Sequence, residues 1–142
     1  MTRIALAESG HDIDRCYAVM HELWTHLDRD RFVAQVNRQM EGGVYRLAFL
    51  EAGGEVKAVA GFRFMECLAW GKIMYVDDLV TLASERSKGF GEQLFDWLVD
   101  QALAEECDQF HLDSGVQRFA AHRFYLRKRM DITAHHFALK LR

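Results

Sequence analysis

The sequence has no proline, only three cysteines, and no apolar run near the ~18 residues of a membrane span. Without a Pro-rich linker, repeat or low-complexity stretch to divide 142 residues, one domain over residues 1–142 is expected. Cys16, Cys67 and Cys107 are odd in number, widely spaced and set among apolar neighbours. That pattern argues against a disulfide framework and a paired-ligand zinc site, leaving reduced, buried thiols. An excess of positive charge is missing too: 18 Lys and Arg stand against 21 Asp and Glu, a formal charge of −3. A nucleic-acid or anionic-membrane binder needs a basic field that this chain lacks, so any anion site must be local. Residues 1–7 meet Glu8 before a signal-peptide core forms, and the expected location is cytoplasmic.

What is present is an ordinary globular balance, half apolar and 27% charged, enough for one core. Residues 2–7 alternate weakly as a strand. Ile13, Cys16, Tyr17, Met20, Trp24 and Leu27 recur at helical spacing, and Phe32, Val33, Val36 and Met40 begin a second helix. Strand-like runs over 44–52 and 55–68 flank Gly53-Gly54, a hairpin signal, and a third run covers 72–82. Phe90, Leu94, Leu98 and Ala102 form a helix face. A strand over 109–114, a short helix over 119–129 and a closing strand over 132–141 complete the order βααβββαβαβ. The expected fold is α/β in the broad sense (α+β), a mixed, largely antiparallel sheet flanked by helices.

Chemistry concentrates in Arg86-Ser87-Lys88-Gly89-Phe90-Gly91, between a strand and a helix. Such a loop aims backbone N–H groups and the positive helix end at one point, which suits a pyrophosphate. Two glycines permit unusual dihedrals, and Arg86 and Lys88 add charge. A Walker loop is not matched, and the dinucleotide fingerprint lacks its third glycine because Leu94 stands there.

The hexapeptide fits R-x-x-G-x-G, and Ala121-His122-Arg123-Phe124-Tyr125 fits Ala-x-x-x-Tyr. With Asp77-Asp78-Leu79-Val80 upstream and His111-Leu112-Asp113-Ser114 between, the chain resembles the GNAT superfamily of acetyl-CoA-dependent N-acetyltransferases over essentially its whole length. The segment 121–126 and the paired N-terminal helices look most similar to aminoalkylphosphonate N-acetyltransferases. Three family positions differ: Ala83 replaces a proline, Arg118 an asparagine, and Arg129 a glycine at a turn where positive φ would resist it.

The resemblance implies direct transfer of acetyl from acetyl-CoA to the primary amine of a small molecule. It implies that the backbone around Leu79 and Val80 holds the pantetheine arm and the carbonyl oxygen, that Ser87 to Gly91 bind the diphosphate, and that Tyr125 protonates the departing thiolate. Proton acceptance from the amine falls to Asp78 first, Asp77 second and Glu66 third, since strand alternation sends the two aspartates to opposite faces and only one can look into a cleft. Arg31, Arg38, Arg46 and Arg63 are candidates for pairing with an anionic acceptor. Arg118, Arg123, Arg127 and Lys128 could reach the cofactor's remaining phosphate but read mostly as a solvated face. Phe62, Phe64, Trp70 and Tyr75 read mostly as core, although the resemblance implies an acceptor pocket built by the turn around Trp70 and the first two helices. His135-His136 would point to opposite strand faces, so no metal is expected. The sheet edge near the closing strand leaves room for a homodimer. A protein acetyltransferase and a non-catalytic acyl-CoA-binding module remain alternatives.

Overall fold

The computed structural model describes all 142 residues and separates them into two compact units, Met1–His111 and Leu112–Arg142. The first opens with strand β1 (Thr2–Leu6) and helices α1 (Gly10–Arg15), α2 (Tyr17–Leu23) and α3 (Arg29–Glu41). Strands β2 (Tyr45–Ala52), β3 (Glu55–Cys67) and β4 (Gly71–Thr81) follow, then a 3₁₀ turn (Ala83–Glu85), helix α4 (Phe90–Ala104) and strand β5 (Gln109–Leu112). The sheet runs in chain order, β1-β2-β3-β4-β5, with the first four strands antiparallel.

Local chemistry explains most of these elements. Ser9 and Asp28 cap α1 and α3 by accepting from the Asp12 and Asp30 N–H groups. Gly53 and Gly54, at φ 61° and 79°, make the tight turn between β2 and β3. The periodic stretch expected as a single first helix divides at Cys16, whose N–H bonds the Ile13 carbonyl three residues back. All three cysteines are free, but only Cys16 is fully buried. Burial pushes its thiol up to about 12 against the pull of Arg15, so it is inert.

Phases along the strands give each sheet face its partner. Tyr45, Leu47, Phe49, Val59 and Val80 pack with Ile13, Val19, Met20, Phe32 and Val36 from the three N-terminal helices. On the opposite face Phe62 meets Trp97 of α4 edge-on, with ring centroids 6.2 Å apart, and Leu94, Phe95 and Leu98 of that helix are buried.

The second unit holds helix α5 (Phe119–Arg127) and no fully buried side chain. At its end Arg129 takes φ 68° although it is not glycine. Two bonds hold that turn, from the Arg129 N–H to the Leu126 carbonyl and from the Met130 N–H to the Tyr125 carbonyl, a Schellman closure.

Two expectations need correction. Residues 132–141 form no strand: Ile132, Phe137, Leu139 and Leu141 are 77%, 91%, 85% and 82% exposed and no ladder partner pairs with them. Alternation supplies only a side-chain pattern; a strand also needs a neighbour for its N–H and C=O groups. Trp70 is not core. It sits in the β3–β4 turn, 40% exposed, stacked on His111 at 4.1 Å.

Candidate active site

The site begins with an irregularity in β4. Gly61 pairs with Asp78 but Phe62 pairs with Val76, so Asp77 is an extra residue, a β-bulge. Below it Tyr75, opposite Arg63, and above it Asp78 and Val80 share the face covered by the N-terminal helices. The extra residue makes consecutive side chains point the same way. Asp77 and Asp78 therefore line one cavity, which corrects the expectation that alternation would separate them.

Asp78 is held from strand β2 and from a helix end. Tyr45 on β2 donates its hydroxyl to Asp78 Oδ2 at 2.8 Å, and Trp24, at the end of α2, donates its indole N–H to Oδ1 at 2.6 Å. Between them on β3 lies Gly61. A Cβ there would fall 2.0 Å from the Tyr45 hydroxyl and 2.1 Å from Asp78 Oδ2, so only glycine lets this hydrogen bond cross the middle strand. Asp77 is engaged separately: Arg63 Nε donates to its Oδ1 at 2.9 Å and Arg63 Nη2 to Oδ2, a bidentate pair. The guanidinium also lies 5.6 Å from the centre of the Tyr45 ring.

Burial raises the Asp78 carboxyl above the ordinary carboxylate range, while the Trp24 and Tyr45 hydrogen bonds pull it part of the way back. Burial, followed by the Asp78 charge, raises the Tyr45 phenol, which stays a donor. Asp78 is therefore a carboxylate of increased basicity with a free approach from the cavity. That cavity measures about 350 Å³. Met20, Leu27, Phe32, Val36 and Tyr45 form its apolar wall, and His26, Gln35 and Gln39 bring polar groups.

Next to Asp78 the strand presents bare backbone. The Leu82 N–H bonds the Lys57 carbonyl on β3 at 2.9 Å, which sets the phase of the ladder. Alternating back from there, Val80 and Asp78 aim their backbone groups at β3, whereas Thr81 and Leu79 aim theirs away. On that outer side β5 starts beside Lys72, whose carbonyl accepts from the Asp108 N–H at 2.6 Å, and its four residues cover about 13 Å. The strand β4 is eleven residues long, so its C-terminal half has an open edge. Of the two residues expected to offer a main-chain donor, Leu79 has its N–H on that edge and Val80 does not.

The loop then carries the chain into α4. Ser87 and Gly89 both have positive φ, 73° and 82°, and Gly89 caps the helix without a side-chain hydrogen bond. The first N–H groups of α4 are thus left for an external acceptor. Gly91 brings the helix against β4, since a Cβ there would lie 2.9 Å from Thr81 Oγ1. Glu22 of α2 fixes the loop's start by accepting from the Ala83 N–H at 2.8 Å. Lys88 is exposed but engaged by an acid within the loop. It and Lys57 both bind Glu85, at 2.5 Å and 3.0 Å, and Arg86, like Lys88, is exposed. Free N–H groups and a glycine-tight contact fit a diphosphate.

The remaining expected residues divide. Tyr125 lies on α5 in the second unit, where burial raises its phenol and Arg118 partly offsets this. It stays protonated near neutrality. Glu66 sits opposite Lys72, five residues beyond Gly61 and about 17 Å along the strand, away from the cavity. His136 lies 3.4 Å from Asp113, and His122 bonds the Gly115 carbonyl at 2.8 Å. Sequence reasoning missed Trp24, Tyr45 and Gly61. Only Gly61 left a signal, an isolated glycine inside the apolar run 58–62, which marks a close approach.

Comparison with known proteins adds independent support. Residues 10–130 match the family described as "Acetyltransferase (GNAT) family". An uncharacterized N-acetyltransferase of Bacillus subtilis (strain 168), YhdJ, is 34% identical over 112 residues, 79% of each chain. The aminoalkylphosphonate N-acetyltransferase of Salmonella typhimurium (strain LT2) is 32% identical over 124 residues, 82% of this chain and 77% of that one. Among solved structures, the aminoglycoside N-acetyltransferase AAC(6')-Iy in complex with CoA superposes with a TM-score of 0.85 at 12% identity, covering 100% of this chain and 95% of that one, a likeness of fold. No helix here is long and apolar enough to cross a membrane. With an open strand edge running into a diphosphate-shaped loop, and with these matches, the chain belongs to the acetyltransferase (GNAT) family, acetyl-CoA-dependent N-acetyltransferases.

Proposed function

We propose that the protein acetylates the primary amine of a small molecule bound in the cavity between α2, α3, β2 and β4, by direct transfer within one ternary complex. The observation that carries this reading is the half-buried Asp78 carboxylate, facing a 350 Å³ cavity one residue from the open edge of β4. That volume suits a small ligand, whereas a protein substrate needs an open groove.

Acetyl-CoA, when bound, supplies an activated thioester carbonyl. The chain's own groups do the rest. Asp78 takes the proton of the alkylammonium, which near pH 7 is mostly protonated and unreactive. The Leu79 N–H donates to the carbonyl oxygen as charge develops there. Ser87 to Gly91 hold the diphosphate through main-chain donors, with Arg86 alongside. Tyr125, kept protonated by its raised phenol, supplies the proton to the thiolate.

Incubation with acetyl-CoA and parallel panels of small amines and peptides tests the reading. Acetylation of small amines is the expected result, and Tyr125→Phe should lose about 10²–10⁴-fold in turnover while acetyl-CoA still stabilises the protein against heat. Modification of peptides alone would transfer the role to a protein acetyltransferase. Saturable acetyl-CoA binding with no amine modified would make the chain a binding module.

A further inference from the structure

Resting on the small-amine reading, the walls of the same cavity bear on what the rest of the acceptor carries. The relative from Salmonella typhimurium is named for an aminoalkylphosphonate, whose far end is an anion. An anion bound beside Asp77 and Asp78 needs a cation at the wall, and no lysine or arginine lines this cavity; His26 is the one lining side chain that can take up a positive charge. Arg63 is the nearest guanidinium, yet it is locked on Asp77 by two donors and lies against the Tyr45 ring. Arg31 and Arg38 of α3 are exposed, roughly 100° around the helix from Phe32 and Gln39, which line the cavity. Arg46 is directed elsewhere, 5.4 Å over the Phe64 ring.

Apart from His26, what the wall offers is neutral and hydrogen-bonding. Gln35 and Gln39 lie one helical turn apart on α3, Nε2 of the first donating to Oε1 of the second at 3.2 Å. The Gln39 amide N–H groups and the Gln35 carbonyl keep capacity for a ligand. The charge count agrees: with Asp77 matched by Arg63, Asp78 is the unmatched charge, and one ammonium balances it.

We propose that the acceptor is a primary amine whose remainder is uncharged and hydroxyl-bearing, of the amino-alcohol or amino-sugar class, and that the cavity discriminates against amines carrying a phosphonate or other anion. Asp78 binds the ammonium, Gln35 and Gln39 bind hydroxyls at the opposite wall, and the wall offers an anion no lysine or arginine.

The test compares kcat/KM for aminopropanol and aminopropylphosphonate, matched in chain length, with acetyl-CoA saturating. Aminopropanol should be favoured by at least about tenfold. A guanidinium added at the α3 wall by Gln39→Arg should shift the ratio about tenfold toward the phosphonate. A wild-type preference for the phosphonate, or equal rates, overturns the inference, as does a ratio that Gln39→Arg leaves unmoved. Acetylation of neither amine, with acetyl-CoA binding intact, would instead overturn the small-amine reading itself.

Discussion

The two units of the chain are built differently. Every fully buried side chain, from Ala7 to Ala102, belongs to Met1–His111, whereas Leu112–Arg142 buries none completely and leaves Val116, Phe119, Leu126 and four apolar residues beyond 131 exposed. The first unit can hold a carboxylate at a chosen point because the strands and helices around it are close-packed and cannot yield. The second unit relies on hydrogen-bonded local geometry, as in the closure at Arg129. Precision in the proposed acceptor site is therefore a property of the sheet, while the α5 tyrosine sits on a lightly built element.

The largest expected effect tests the sheet's contribution through Asp78. Asp78→Asn should lower turnover about 10²–10⁴-fold and remove the acidic limb of the pH–rate profile. Its stability should move the other way. Folding raises the Asp78 carboxyl, so the native state holds that proton more tightly and wild-type stability falls as pH rises through the folded value. The asparagine variant has no such loss. Its melting temperature should exceed the wild type's at neutral pH, with the gap closing in acid; an unchanged gap across pH would contradict the burial argument.

Next comes Gly61→Ala, which drives a methyl into the Tyr45–Asp78 hydrogen bond and should cost about 10²-fold in kcat/KM through misplacement of the carboxylate. Normal activity would show that the three-strand arrangement is dispensable. The core contrast can be measured with a pair of leucines. Leu98→Ala, at a fully buried site, should cost about 2–5 kcal/mol in urea melts, and Leu126→Ala, at a site 53% exposed, no more than about 0.5. Equal losses would erase the difference between the units. The smallest effect is a gain: Arg129→Gly relieves a left-handed residue and should stabilise the end of α5 by about 1 kcal/mol, read as slower amide exchange at Met130.

Much of this was legible because it is local. Gly53-Gly54 announced the β2–β3 turn, the apolar period from Phe90 to Ala102 announced α4, and the hexapeptide at 86–91 announced a strand–loop–helix junction with free N–H groups. Asp78 was legible as a carboxylate in an apolar strand, but its partners were not. Trp24 and Tyr45 lie 54 and 33 residues away in sequence, and nothing in their neighbourhoods points to a shared carboxylate. The link from Glu85 to Lys57 on another strand was hidden for the same reason, whereas the Lys88–Glu85 pair is local, three residues apart.

Sequence alone determined the strand and helix order through β5 and α5, apart from the division of the first helix at Cys16, together with the hairpin and the residues of the phosphate-type loop, since each follows from periodicity or from backbone preferences within a few residues. Tertiary structure alone decided that Asp77 and Asp78 face one cavity, because a bulge exists only where two paired strands fall out of step. It also decided that 132–141 is not a strand, because an alternating pattern becomes one only when another backbone accepts its hydrogen bonds.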